Sequence, residues 1–145
     1  MKLTGRRAVI TASAVVLAAL TSLSSVARAQ DVPMPTEQVL GDVPYLNGGV
    51  GEEEVQFIKQ TMKDYTLRFA FSRAGTPRAE YVANVAVTIT DAKGTNLFEL
   101  AAAGPYLLLK LPPGRYSVTA TYENQTVTRP VVAGKGTTPI NFVWK

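Results

Sequence analysis

The chain has 145 residues, with 15 Lys or Arg against 11 Asp or Glu, and it contains neither histidine nor cysteine. That composition removes Ser–His and Cys–His nucleophile pairs, histidine or thiolate metal sites, and disulfide staples. The formal charge of +4 belongs to the N-terminus: Lys2, Arg6, Arg7 and Arg28 lie within residues 1–29 with no acid beside them, so residues 30–145 are formally neutral and carry no electrostatic footprint for nucleic acid.

Lys2, Arg6 and Arg7 precede an apolar run from Ala8 to Leu20, and Ala27-Arg28-Ala29 is an A-x-A triplet. Basic, apolar and small-residue segments in that order read as a secretory signal peptide over residues 1–29, cleaved between Ala29 and Gln30. The apolar run is shorter than the roughly 20 residues a membrane span needs, so no span is expected after cleavage. The expected location is the periplasm, with release from the cell as the alternative. Arg6-Arg7 also fits a twin-arginine signal, but Gly5 departs from that pattern, so the general secretory route is expected.

Residues 30–50 read as a flexible arm, because Pro33, Pro35, Pro44, Gly41, Gly48 and Gly49 interrupt regular structure. Within it, Val43-Pro44-Tyr45-Leu46 is apolar enough to dock on the domain that follows, residues 51–145. The first element of that domain is a helix over 52–64. Val55, Ile58 and Met62 form one apolar stripe, and Glu52, Glu53 and Glu54 complement the positive end of the helix dipole. Gly51 is the expected N-cap, Glu54 half of a capping box, and Val50 with Val55 a hydrophobic staple. The glycines before the helix read as a hinge. They do not read as a phosphate cradle, since three glutamates follow and no Lys-Ser/Thr does.

From Tyr65 the period becomes two. Leu67, Phe69 and Phe71 alternate with polar or small residues, as do Tyr81, Ala83, Val85, Val87 and Ile89. Asp91-Ala92-Lys93-Gly94 is a turn. Short apolar strands at Leu97–Ala101 and Tyr106–Leu111 flank Gly104-Pro105. Leu111-Pro112-Pro113-Gly114 is a tight turn, after which Tyr116, Val118, Ala120 and Tyr122 alternate. Glu123-Asn124-Gln125 turns the chain into a strand over Thr126–Val132 that Pro130 marks as an edge, and Ile140, Phe142 and Trp144 finish the chain. About seven strands with regular turns predict an all-β sandwich with one short N-terminal helix. If Leu107, Leu109 and Leu111 face the core, Leu108 lies on the opposite face and needs cover, which the helix stripe can supply.

The strand Val85–Asp91, the turn glycine Gly94 and the run Leu111-Pro112-Pro113-Gly114-Arg115-Tyr116 resemble the carboxypeptidase regulatory-like domains. The resemblance covers Tyr81 to the C-terminus and rests most on the L-P-P-G-x-Y run. It implies a transthyretin-like, immunoglobulin-like sandwich and a non-catalytic accessory module. The family's segment before that run is altered here, to Asp91-Ala92-Lys93-Gly94-Thr95-Asn96-Leu97-Phe98. In this chain the run is read as a turn that places the Tyr116 ring in the core.

No enzyme chemistry is expected. The consecutive glutamates fan out by about 100° each and do not converge, the Asp91 turn lacks the further acids of a calcium loop, and no cofactor is implied. Arg68, Arg73 and Arg78 read as a solvated strand face and loop. The leading functional expectation is a periplasmic binding or accessory module for a protein or peptide. The alternative is a carbohydrate- or envelope-binding domain, with Tyr45, Tyr106 and Trp144 as the aromatics that would stack on sugars.

Overall fold

In the computed structural model, residues 33–145 are described. The expected signal peptide, with Ala27, Ala29 and Gln30 at its cleavage site, lies outside them. Ten strands and one helix make two sheets. In chain order they are β1 (Gln38–Leu40), β2 (Val43–Gly48), α1 (Glu52–Thr61, continued by a 3₁₀ turn over Met62–Asp64), β3 (Leu67–Arg73), β4 (Glu80–Tyr81), β5 (Val85–Asp91), β6 (Asn96–Ala103), β7 (Tyr106–Leu109), β8 (Gly114–Tyr122), β9 (Gln125–Ala133) and β10 (Ile140–Trp144).

The first sheet runs β1-β2-β7-β3-β10, with β4 also paired to β3, and the second runs β6-β5-β8-β9. All pairs are antiparallel except β10 with β3, which is parallel. The inward residues of both sheets share one core: Leu67, Phe69, Phe71, Leu107, Leu109, Phe142 and Trp144 from the first, and Val85, Val87, Ile89, Phe98, Val118 and Ala120 from the second. The chain is therefore an all-β sandwich, as its period-two pattern predicts, but with ten strands where about seven are expected, because short pieces such as β1, β2 and β4 pair at its edges and breaks. Pro130 does lie on an edge strand, β9.

A second, smaller core lies on the outer face of the first sheet. Ile58 and Met62 of the helical segment pack there on Leu46, Tyr65, Ala70, Tyr106 and Leu108, with Val55 and Phe57 at the border. Leu108 is 0% exposed, so the helix stripe supplies the cover that the leucine run requires. All four residues of β7 are buried because this strand is covered on both faces.

Three expectations are corrected. Residues 38–48 are two strands and not a flexible arm. Val43 and Tyr45 reach the main core and Leu46 the helix core, while Pro44, which has no N–H, still accepts from Lys110 N–H at 2.9 Å. The segment is fastened further at Glu37. Its carboxylate accepts from Tyr65 Oη at 2.6 Å and pairs with Lys110 Nζ at 2.8 Å. Secondly, the glycines before α1 are not a hinge. A Cβ on Gly49 would stand 2.6 Å from the Tyr106 ring, and the Glu54 carboxylate accepts from both Gly49 and Val50 N–H. The expected half capping box is not formed, because Glu54 accepts from Gly49 and Val50 and not from the N-cap Gly51, and the staple is absent too. Gly51 enters the helix at φ 92° and Val50 is left exposed. Thirdly, Tyr81 to Ile89 is not one strand. Asn84 sits at φ 60° and breaks it, so β4 belongs to the first sheet and β5 to the second.

The Glu37 contacts set a pH dependence. The hydrogen bond from Lys110, and after it that from Tyr65, hold the Glu37 carboxyl below its ordinary value. A depressed carboxyl stabilises the fold above its unfolded pKa and loses that contribution as pH falls through the folded pKa. Amide protection in β1 is therefore expected to persist through the ordinary glutamate range and fade below it, while Glu37→Gln flattens that dependence. Hydrogen exchange followed by NMR across the acid range checks this.

Candidate functional sites

The three aromatics expected to stack on sugars are all internal. Tyr45, Tyr106 and Trp144 are 7%, 3% and 2% exposed. Each directs its polar tip to a protein partner: Tyr45 Oη donates to Gln38 Oε1 at 2.8 Å, Tyr106 Oη to Tyr81 Oη at 3.0 Å, and Trp144 Nε1 to the Gln125 carbonyl at 3.0 Å. Tyr45 and Trp144 belong to the main core and Tyr106 to the core under the helix, and this removes their faces from any ligand. The exposed aromatic is Tyr81, at 60%. Period-two counting places it inward with Val85; the break at Asn84 shifts the phase, so Val82 is buried and Tyr81 turns out.

The L-P-P-G-x-Y run is structural. Leu111 is buried, Pro112 and Pro113 are exposed, and Gly114 opens β8. Tyr116 is half-buried against the core edge and donates from Oη to the Pro112 carbonyl at 2.6 Å. Its ring closes the turn at the rim and is not sunk in the core, which corrects the sequence expectation.

Two places gather features a partner could use. One is a groove of about 510 Å³ along the solvent side of α1, lined by Met34, Glu52, Glu53, Gln56, Phe57 and Gln60. Phe57 neighbours Ile58 but lies off the Val55-Ile58-Met62 stripe, so it is only half-buried, and Met34 stands exposed beside it. An aromatic out of phase with its helix stripe was the sequence signal for this groove. Glu52 and Glu53 are exposed on its wall, and among the described residues no lining side chain is basic.

The other is a cleft at one end of the sandwich, where β3, β4 and the β8–β9 turn meet. Arg73, Glu80, Tyr81, Val82, Ala83, Asn84, Tyr122 and Glu123 line a space of about 430 Å³. An adjoining space of about 240 Å³ shares Arg73, Glu80, Tyr122 and Glu123 and extends to Gln125, Trp144 and Lys145. Arg73 donates from Nε and from a terminal nitrogen to the same Glu80 oxygen, at 3.1 and 2.8 Å. The hydrogen bond and charge of Glu80, with smaller contributions from Tyr122 and Glu123, raise the pKa of Arg73 above its ordinary value. Among the described residues no group of three or more acids stands where it could hold a metal ion.

No family model, no curated protein and no solved structure matches the chain.

Proposed function

We propose that this protein is exported by its N-terminal 29 residues and works in the periplasm as a non-catalytic accessory module of the carboxypeptidase regulatory-like kind, binding a protein or peptide partner. Export is supported by the basic, apolar and A-x-A order at the N-terminus. The kind of module is supported by the L-P-P-G-x-Y run, which opens a strand of a two-sheet sandwich. No helix among the described residues is long and apolar enough to cross a membrane. The non-catalytic reading is supported by the lack of histidine and cysteine, the residue types that most often supply a base or an activated nucleophile.

The observation that carries the partner class is the α1 groove. It is lined by Phe57 and Met34 together with Glu52 and Glu53, and among the described residues no cation lines it. An apolar segment bearing Lys or Arg matches both features: its side chains cover Phe57 while its charges meet the glutamates. The test is a peptide array comparing apolar sequences that carry Lys and Arg with the same sequences carrying Glu. Binding is expected only to the basic set and should weaken with salt. Phe57→Ser and the double change Glu52→Lys, Glu53→Lys are each expected to cut affinity at least about tenfold, the scale of losing one anchor. Equal binding to both sets, or none to either, refutes the proposal.

A further inference from the structure

We propose that the end cleft is a second and separate binding site, for a neutral hydroxyl-bearing ligand, namely a carbohydrate chain. It does not depend on the α1 groove, with which it shares no residue.

The charges of the cleft cancel within it. Arg73 and Lys145 face Glu80 and Glu123 among the lining side chains, and Arg73 is already bound to Glu80. An anion or a cation entering would gain from one pair of groups and be repelled by the other, with desolvation cost on both. A hydroxyl both donates and accepts, so it can use each. Both Arg73 bonds end on Glu80 Oε2, and among the described residues Glu80 Oε1 makes no hydrogen bond, nor does one terminal nitrogen of Arg73. With the Asn84 amide and the Glu123 carboxylate, the wall offers donors and acceptors side by side.

Tyr81 adds the apolar half of sugar recognition. It is the exposed ring at the cleft, and it is backed by Tyr106 with ring centroids 5.4 Å apart and hydroxyls 3.0 Å apart. The two rings are tilted by 36° to each other, and Tyr81, 60% exposed, leaves ring surface at the border of the cleft that can take the C–H face of a pyranose. The two lobes share Arg73, Glu80, Tyr122 and Glu123, so together they offer more length than a single sugar unit needs.

The turn at the cleft mouth points the same way independently. Glu123 and Asn124 form the two-residue loop between Tyr122 and Gln125, both in the left-handed region at φ 46° and 65°. Asn is at home there, and Gly would be; Glu is not. Three non-glycine residues among the described residues have positive φ, and all three, Asn84, Glu123 and Asn124, are at this end of the sandwich. Backbone strain at the rim of a cleft points to a role for the side chain that carries it.

The test is calorimetric titration of the full-length mature protein with neutral di- and trisaccharides of glucose and of N-acetylglucosamine, against glucuronate- and glucosamine-containing chains of the same length. Trp144, the single tryptophan, reports the site, since it borders the second lobe with its ring 5.6 Å from that of Tyr122. Saturable binding of at least one neutral chain is expected, with a matching change in Trp144 emission and weaker binding of the charged ones. Tyr81→Ala and Glu123→Gly should each weaken it at least tenfold. Glu123→Gly should at the same time raise the melting temperature by about 4 °C, because it relieves the turn, so loss of binding cannot be ascribed to unfolding. Phe57→Ser should leave it unchanged. No binding of any neutral chain, preferential binding of a charged one, or full binding by Tyr81→Ala overturns the proposal.

Discussion

Gly104→Ala is expected to cost about 3 kcal/mol of folding stability. Gly104 joins β6 of the second sheet to β7 of the first, at φ 100°, where L residues are strained. A Cβ there would meet the Val82 carbonyl oxygen at 2.8 Å and the Phe71 ring at 3.0 Å. Neither neighbour can yield easily. Phe71 is fully buried in the aromatic cluster with Phe69, Phe142 and Trp144. Val82 is fixed because its N–H donates to the Phe71 carbonyl at 3.0 Å. The Gly104 N–H also donates to Asn47 Oδ1 at 2.8 Å, while Asn47 Nδ2 donates to the Ala102 carbonyl at 3.1 Å, so one side chain ties β2 to the crossover between sheets. Urea unfolding monitored at Trp144 measures the loss. A cost below about 1 kcal/mol would mean that Val82 and the β4–β5 break are more yielding than their contacts indicate. Because Val82 also lines the end cleft, a milder displacement by Gly104→Ala should register there as weakened sugar binding.

The periodic parts of this fold were legible in the sequence and the phase breaks were not. β3, β5, β8 and β10 bury one face against a single core, so alternation alone locates them. Leu107–Leu109 reads as a run buried on both sides, and that implied a lid, which α1 supplies. What alternation cannot show is where the chain changes sheet. At Val82–Asn84 one left-handed residue reverses which side chains point inward, and that reversal is what exposes Tyr81 and creates the cleft. β1 and β2 were hidden for a different reason. Their prolines and glycines argue against a strand locally, and only tertiary contacts, Tyr45 edge-on to Phe98 at 5.2 Å and Leu46 under the helix, outweigh that preference. The stacking candidates failed on the same ground: an aromatic on an alternating strand is far more often a core residue than an exposed platform.

Leu108→Ala is expected to cost a further loss of similar size, about 3 kcal/mol, but to distribute it unevenly. Leu108 is the floor on which Ile58 and Met62 rest, on the central strand between β2 and β3. At ten residues α1 is shorter than the roughly 12–15 that an isolated helix needs for even marginal stability in water, so its order depends on this contact. The main core, on the other face of the sheet, loses nothing directly. Amide protection should therefore collapse first in α1 and stay high in β5 and β8. Val87→Ala, which opens a cavity in the main core, should lower protection throughout. The functional consequence follows from the same geometry. Phe57 and the two glutamates of the groove are placed by α1, so Leu108→Ala should weaken basic-peptide binding although it touches no groove residue. Sugar titration at the end cleft should be unaffected. If protection in α1 and in the sheets falls together, the helix is an integral part of the sandwich's cooperative unit, and the groove cannot be tuned apart from the fold that carries it.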